Sequence, residues 1–298
     1  MKIRNNSILI YTVLSFFIAW AIWIICYLVK IPMQTTMLLS TLCMWAPALA
    51  VFITSRINKS DKILKYSLKP NLKNNKRWYL IAWITPLFFS IAGGILYYLV
   101  FPNDFDSSMG YMALLIGKNT LEASGMSMTT VLMLQTLGSV IYGPLINMFA
   151  ALGEEIGWRG FLFPALAEKY SIKKAHVMVG IIWGIWHTPI NMMGHNYGMN
   201  YWGYLWLGVI AMSVATFSMG VFLSVLTEKT GSIWIAALGH GAINAVAGIP
   251  VLFRGVLASK HQVFGPGLSG LISVLPLFIV ALVIVIKSKN KTLEKIKL

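Results

Sequence analysis

Residues 8–29 form an uninterrupted apolar run that contains no charged side chain. An α-helix needs about 20 such residues to cross the ~30 Å hydrocarbon core of a membrane, so this run is long enough to span one. Similar runs follow along the chain, at about residues 36–55, 78–101, 129–152, 175–193, 203–226, 232–252 and 268–286. Only 11% of all residues are charged, compared with about 25% in soluble domains. The pattern therefore predicts an all-α polytopic membrane protein, a bundle of about eight transmembrane helices.

The apolar runs fill the chain, so residues 1–298 are predicted to form a single membrane domain without a separate soluble domain. The first run follows Lys2 and Arg4, and a basic start is also typical of a secretory signal peptide. The run is too long for a signal peptide, and no small-residue cleavage site follows it. We therefore interpret residues 8–29 as a retained helix, and the protein as a multi-pass protein of the cell membrane.

The positive charges are concentrated in alternate segments between the runs, which predicts the orientation of the chain. The net charge is +15, and most of the 24 Lys and Arg residues lie at the N-terminus, at residues 56–77, 169–174 and 229, and in the C-terminal tail. Because Lys and Arg accumulate on the cytoplasmic side, both termini are predicted to be cytoplasmic. This placement argues against nucleic acid as a partner and predicts that the loop at residues 56–77 lies against anionic lipid headgroups. The opposite segments hold Lys30, Lys118, Arg254 and Lys260.

Charged side chains inside an apolar run are costly in a membrane, and they indicate function by default. Glu154, Glu155 and Arg159 lie together in such a run. On a helix, Glu155 and Arg159 are four residues apart and share a face, so they can form an ion pair. Glu154 is rotated by about 100° from that face, which leaves its carboxylate for chemistry. A buried ion network with only a structural role is the alternative.

Histidines in two further runs add hydrogen-bonding groups. His187 lies one helical turn after Trp183 and just before Pro189, which can kink the helix. His240 and Asn244 share a face, and the alanines and glycines around them let neighbouring helices approach closely. This pattern predicts a central helix whose polar pair points at a partner. Read individually, these polar groups are also typical of hydrogen bonds between packed helices.

The three clusters are predicted to lie at a similar depth in the membrane. Counted from the nearest cytoplasmic lysines, Glu154, His187 and His240 would lie roughly 22, 20 and 16 Å deep at the rise of an α-helix. Independent structural contacts have no reason to converge in this way, whereas the parts of one site do. We therefore expect a shared site near the middle of the membrane.

Residues 129–168 form a mostly apolar stretch that would measure about 60 Å as one straight helix, twice the thickness of the hydrocarbon core. A break is therefore expected, and Gly143-Pro144 is the best candidate because proline removes a backbone donor. The segment before the two adjacent glutamates is expected to run obliquely or along the membrane surface.

Together, the three clusters resemble the signature of the CAAX protease and bacteriocin-processing family, also called the Abi family, which includes the Ras-converting CAAX prenyl endopeptidases. The pattern is Glu-Glu-x-x-x-Arg, then an aromatic residue with His four positions later, then His-x-x-x-Asn. The matching residues are Glu154, Glu155, Arg159, Trp183, His187, His240 and Asn244. The resemblance covers about residues 130–250, which we interpret as the catalytic core.

The resemblance implies an intramembrane endopeptidase that acts on membrane-associated proteins or peptides, such as prenylated C-terminal tails or bacteriocins. It implies that Glu154 activates the attacking water with the help of His187, and that His240 and Asn244 stabilise the oxyanion. Peptide hydrolysis needs a base for water and donors for the oxyanion, and these residue types supply both. Water must also enter the helical bundle, because the bilayer core holds none.

The resemblance also implies supporting residues around the catalytic ones. Glu155 and Arg159 would orient the first of the three helices. Trp183 departs from the phenylalanine that the family usually has, which can change the pocket but removes no ionisable group.

Two other functions fit parts of the pattern. A non-catalytic member of the same fold, acting as a bacteriocin-immunity or regulatory scaffold, would keep the helices without the chemistry. The retained glutamate, both histidines and the asparagine argue against such a degenerate site. A transporter also carries ionisable residues at mid-membrane, but it favours repeated, interrupted helices in two halves, and the sequence has no such symmetry.

Metal-dependent use of the same residues is the remaining alternative. Glu154, His187 and His240 could hold a divalent metal such as zinc, with water as the fourth ligand, and members of the family are often labelled metalloproteases on that basis. The sequence has no His-Glu-x-x-His motif that would supply a separate glutamate as general base. Glu155 is better placed to pair with Arg159. We therefore expect a site without a cofactor or a tightly held metal.

Overall fold

The protein is described by a computed structural model over residues 5–59, 64–257 and 260–288. Within these residues the chain forms α-helices and no β-strand, which confirms the predicted all-α class. The helices are α1 Asn5–Leu28, α2 Met33–Cys43, α3 Ala46–Ile57, α4 Lys76–Val100, α5 Gly110–Ile116, α6 Lys118–Ser124, α7 Met128–Ile141, α8 Gly143–Glu155, α9 Phe163–Lys169, α10 Ile172–Trp186, α11 Thr188–Met192, α12 Trp206–Thr230, α13 Ile233–Val246 and α14 Leu275–Lys287. Short 3-10 helices lie at Leu72–Asn74, Pro102–Asp104 and Pro250–Phe253, and a π-helix lies at Ile156–Leu162.

Among the described residues, five helices are long and apolar enough to cross a membrane. They are Asn6–Leu28, Met33–Ile57, Lys76–Val100, Trp206–Thr230 and Ile233–Phe253. The bent pair formed by α7 with α8 and α9 would be a sixth span. The structure thus agrees with a polytopic membrane protein.

Two of the other predicted runs form helices that are too short to count as spans. The run at residues 175–193 is divided between α10 and α11 at His187, next to the Pro189 that was expected to kink it. The run at residues 268–286 contains α14, which has only 13 residues. The count of about eight spans therefore stays a prediction.

The long apolar stretch before the adjacent glutamates is broken where the sequence predicts it. Helix α7 ends at Ile141, α8 begins at Gly143, and the two segments meet at an angle of 46°. Pro144 occupies the first turn of α8, where its missing N–H has no partner to lose. A Cβ at Gly143 would lie 2.6 Å from the Cβ of Ala245, so the glycine permits close contact between the bend and α13.

Helix α13 is the central helix predicted from its small residues. It packs against α8, α4 and α12, and its Ala236 and Ala237 are fully buried. A Cβ at Gly241 would lie 2.6 Å from the backbone nitrogen of Met148 and 2.7 Å from the carbonyl oxygen of Pro144. The absence of a side chain there brings the backbones of α13 and α8 into contact, which aligns the polar residues of both helices.

The basic loop at residues 56–77 and the acidic residues that follow α4, Asp104 and Asp106, contact segments at opposite ends of α13. At the N-terminal end, the Ser67 N–H donates to the Gly231 carbonyl and the Ile233 N–H donates to the Ser67 carbonyl, both at 3.0 Å. At the other end, the Gly255 N–H donates to the Asp104 carbonyl at 3.0 Å. Which of these two ends faces the cytoplasm stays a prediction. Residues 1–4 and 289–298 lie outside the described residues, so the cytoplasmic position of both termini stays a prediction.

Candidate active site

The two adjacent carboxylates lie where α8 passes into the π-helix Ile156–Leu162. The glycines on either side face the first three helices. A Cβ at Gly153 would lie 2.7 Å from the carbonyl oxygen of Met44, and a Cβ at Gly157 would collide with Pro47. This close packing buries both carboxylates. A π-helical turn is uncommon and often marks a functional site, and the sequence pattern did not predict it.

Glu155 is held by two cationic or hydrogen-bonding partners. The Nε atom of Arg159 lies 3.1 Å from Oε2 of Glu155, which is the predicted ion pair. The Nδ1 atom of His240 lies 2.8 Å from Oε1 of the same carboxylate. All three side chains are buried, and Glu155 and Arg159 lie behind the cavity that the other site residues line. Since a carboxylate oxygen only accepts, the His240 Nδ1 atom carries the hydrogen, and its Nε2 atom is the nitrogen directed away from Glu155.

Glu154 is held by two neutral donors. The indole N–H of Trp183 donates to Oε2 of Glu154 at 2.7 Å, and the indole N–H of Trp158 donates to the same oxygen at 2.9 Å. Glu154 is 2% exposed. Among the described residues, no hydrogen-bond donor reaches its other oxygen, Oε1. The carboxylate is therefore fixed through one oxygen and available through the other.

His187 occupies the break between α10 and α11. Its Nδ1 atom lies 2.9 Å from the carbonyl oxygen of Trp183. A carbonyl oxygen cannot donate, so Nδ1 carries the hydrogen and Nε2 is an acceptor in the neutral ring. The ring of His187 is thus oriented by a hydrogen bond to a residue one turn earlier in the same segment.

The structure brings the four predicted catalytic residues to one cavity of about 400 Å³. Glu154, His187, His240 and Asn244 all line it, and so does Trp183. They come from α8, α10 and α13 and from the junction after α10. A base, an acceptor and an amide donor around one space is the arrangement that hydrolysis of an amide needs.

Other polar residues line the same cavity and were missed by the sequence analysis. Asn147, His195 and Asn196 carry amide or imidazole groups, and the hydroxyl residues are Ser40, Thr41, Thr216 and Ser269. Asn147 lies seven residues before Glu154, or two helical turns, so helical periodicity would have found it. His195 and Asn196 lie in the loop after α11, where the Asn196 amide donates to Oδ1 of Asn191 at 2.6 Å. No periodic pattern points to residues in a loop.

Glu154, His187 and His240 are the residues that would hold a metal ion, and the absence of a metal stays a prediction. Over the part of the chain that the structure describes, no three His, Cys, Asp or Glu side chains lie at separations that suit a metal ion. His187 and His240 each use Nδ1 for a contact with a carbonyl or carboxylate oxygen, as metal-ligating histidines do. Oε2 of Glu154, in contrast, is taken by two indoles.

Comparisons with known proteins point to the same helices. Residues 136–246 match the family profile described as Type II CAAX prenyl endopeptidase Rce1-like. The CAAX prenyl protease 2 of Methanococcus maripaludis is 27% identical over 205 residues, which covers 61% of this chain and 70% of that protein. The matched range includes four of the residues that line the cavity, namely Glu154, His187, His240 and Asn244.

Proposed function

We propose that the chain, which is similar to the Rce1-like CAAX prenyl endopeptidases over residues 136–246, is an intramembrane endopeptidase of the CAAX protease and bacteriocin-processing family in which Glu154 activates the attacking water. The observation that carries the proposal is the convergence of Glu154, His187, His240 and Asn244 on one cavity. Groups with only a structural role would pair with one another, whereas all four of these side chains line the cavity.

Glu154 and His187 together hold the water. One water hydrogen is donated to Oε1 of Glu154, and the other is donated to Nε2 of His187. As the water oxygen attacks the carbonyl carbon of the scissile bond, Glu154 takes the first proton. The tetrahedral intermediate then collapses, the C–N bond breaks, and Glu154 returns the proton to the leaving amine.

Asn244 and His240 stabilise the negative oxygen of that intermediate. The Asn244 side chain is exposed within the cavity, so its amide N–H can donate to the oxyanion. In the proposed mechanism, His240 donates to the oxyanion through its Nε2 atom while its Nδ1 atom contacts the Glu155 carboxylate at 2.8 Å. Preorganised donors of this kind are usually the largest single contribution to acyl-transfer catalysis.

The walls of the cavity favour a substrate with an apolar group beside the scissile bond. Trp23, Trp186, Met37, Met212 and Met219 line it, and methionine side chains adapt to irregular apolar shapes. The name of the archaeal relative, CAAX prenyl protease, indicates prenylated protein substrates for that protein. We therefore propose membrane-associated proteins or peptides as substrates of this chain.

The basic loop is the proposed contact with the lipid headgroups. Lys65, Lys69, Lys73, Lys76 and Arg77 are all exposed on it, while residues 60–63 lie outside the described residues. Each such charge near an anionic membrane surface is worth about 1 kcal/mol. Replacing these five residues with Gln is expected to reduce the anionic lipid that copurifies with the protein, as measured by native mass spectrometry.

Peptide cleavage by the purified protein in micelles tests the proposed function. The panel consists of internally quenched peptides with a farnesylated C-terminal Cys motif, the same peptides without the farnesyl group, and a bacteriocin precursor peptide. Glu228→Gln is the matched control for Glu154→Gln, because Glu228 is an exposed residue near the end of α12, outside the cavity. We expect cleavage by the wild type and by Glu228→Gln but not by Glu154→Gln. A folded wild-type protein that cleaves none of the peptides would favour the scaffold function.

A further inference from the structure

Trp183 contacts four of the other residues of the site. Its indole N–H donates to Glu154 at 2.7 Å, and the guanidinium carbon of Arg159 lies 4.4 Å from the centre of its ring. Its carbonyl oxygen accepts from His187 at 2.9 Å. Its ring meets the ring of His240 edge to face, with centroids 5.3 Å apart. One residue therefore touches the base, its neighbouring cation and both histidines.

The two indoles restrict Glu154 from different helices. Trp158 lies on the same segment as Glu154, four residues later, and Trp183 comes from α10. Both rings are buried to 1% exposure or less, and their centroids lie 6.1 Å apart. Two donors converging on one oxygen prevent the carboxylate from rotating about its terminal torsion, which is otherwise soft. They also replace the hydration that a buried carboxylate loses, without cancelling its charge.

We propose that Trp183 is a positioning residue that, together with Trp158, fixes the Glu154 carboxylate so that Oε1 faces the water. This inference rests on the proposed function. A phenylalanine at position 183 would keep the aromatic face beside Arg159 and the backbone contact to His187, but it would lack the N–H. The tryptophan at this position thus adds a constraint on the base that the usual family residue cannot supply.

The matched test is Trp183→Phe, with Trp158→Phe as its partner and Trp83→Phe as the control. Trp83 also donates an indole N–H within the helical bundle, to the carbonyl of Val140 at 2.6 Å, but it does not line the cavity. Steady-state cleavage of the farnesylated and unmodified peptides is measured with the full-length protein in micelles, together with its thermal unfolding.

Loss of the N–H is expected to lower kcat of Trp183→Phe by about 10- to 100-fold, because small misplacement of a catalytic group has that effect. KM is expected to stay within about twofold of the wild type, since substrate binding does not use the indole N–H. Trp158→Phe is expected to lower kcat in the same way, and Trp83→Phe is expected to leave both constants unchanged. If Trp183→Phe does not fold, Trp158→Phe carries the test, because it removes a donor from the same oxygen.

Different outcomes overturn the positioning role and the proposed mechanism. Wild-type kcat in folded Trp183→Phe or Trp158→Phe, alongside an inactive Glu154→Gln, overturns the positioning role alone. A rise in KM with unchanged kcat also overturns it, since it assigns the indoles to binding. Full activity of Glu154→Gln overturns the proposed mechanism and the positioning role with it.

Discussion

The surroundings of Glu154 and of Glu155 differ sharply, although the two carboxylates are neighbours in sequence and both are buried. Around Glu154 lies a neutral pocket, in which Trp158 and Trp183 donate to one oxygen and the cavity meets the side chain. Around Glu155 lies a charged pocket, in which Arg159 and His240 contact both oxygens and the cavity is out of reach. The helical rotation of about 100° per residue is sufficient to separate the two.

The comparison explains how adjacent, chemically identical groups acquire different roles. A guanidinium neutralises a carboxylate and fixes it in the ion pair, so we propose that Glu155 is a structural anchor that also orients His240. Indole N–H groups solvate a carboxylate without supplying a compensating charge. Glu154 therefore keeps its capacity to accept a proton, which is the requirement for a general base.

The largest effect is expected for Glu154→Gln, which removes the carboxylate that is proposed to accept the proton but keeps an oxygen that the two indoles can contact. The Gln amide oxygen can still accept from both indoles, so folding and membrane insertion are expected to be unchanged. The rate of peptide cleavage is expected to fall by up to about 10⁴-fold, the upper range for general-base catalysis. Cleavage kinetics and thermal unfolding of the same preparation measure the two expectations separately.

Glu155→Gln removes the carboxylate that pairs with Arg159. Its main expected effect is a lower free energy of unfolding. Removing one partner of a buried ion pair typically costs about 3–5 kcal/mol, because the other charge stays buried without compensation. The double variant Glu155→Gln/Arg159→Met removes both charges and is expected to recover part of the loss. Chemical denaturation and the yield of membrane-inserted protein measure this effect.

The reverse outcome would exchange the two roles. If Glu155→Gln kept the fold and lost activity while Glu154→Gln stayed active, Glu155 would be the base. The indoles around Glu154 would then have only a packing role.

Asn244 extends the comparison to the proposed oxyanion donors that line the same cavity. Asn244→Ala is expected to lower kcat by about 10²–10³-fold, as the loss of an oxyanion donor does, with little effect on stability because the side chain faces the cavity. Asn244→Asp keeps the shape but presents acceptors to the oxyanion, and it is expected to be the slower of the two. Equal activity of Asn244→Asp and the wild type would assign the residue to packing.

The features that were predictable from the sequence depend on local spacing. The pairing of Glu155 with Arg159 follows from a four-residue interval, and the bend between α7 and α8 follows from Gly143-Pro144. The central position of α13 follows from its small residues. Each of these is fixed by backbone geometry over one or two helical turns, so no knowledge of distant contacts is needed.

The features that were not predictable depend on how distant segments meet. The contact of His240 with Glu155 joins residues 85 positions apart, and the rotations of α13 and α8 decide which ring nitrogen points at the carboxylate. Likewise, Trp183 reaches Glu154 from another helix. Counting residues from the nearest lysines gave a common depth for the three clusters, but it contained no information on rotation about the helix axes.

Metal removal is expected to have the smallest effect, and it is the sharpest test of the difference between the two pockets. If a divalent metal bound Glu154 together with His187 and His240, Glu154 would also be a carboxylate neutralised by a cation, and the contrast with Glu155 would disappear. The two indoles on Oε2 and the engagement of Glu155 by Arg159 and His240 support the metal-free site, because a zinc site would leave no carboxylate as base.

We expect purified protein to contain less than one metal ion per chain and to keep its cleavage rate after treatment with a strong chelator. Metal analysis by mass spectrometry and kinetics before and after chelation provide the two readings. A known zinc-dependent endopeptidase treated in parallel confirms that the chelator works in the detergent used. One zinc per chain, with activity that is lost on chelation and restored by zinc, would make Glu154, His187 and His240 ligands. In that case the two indoles would orient a metal ligand, and the general base would have to be sought elsewhere in the cavity.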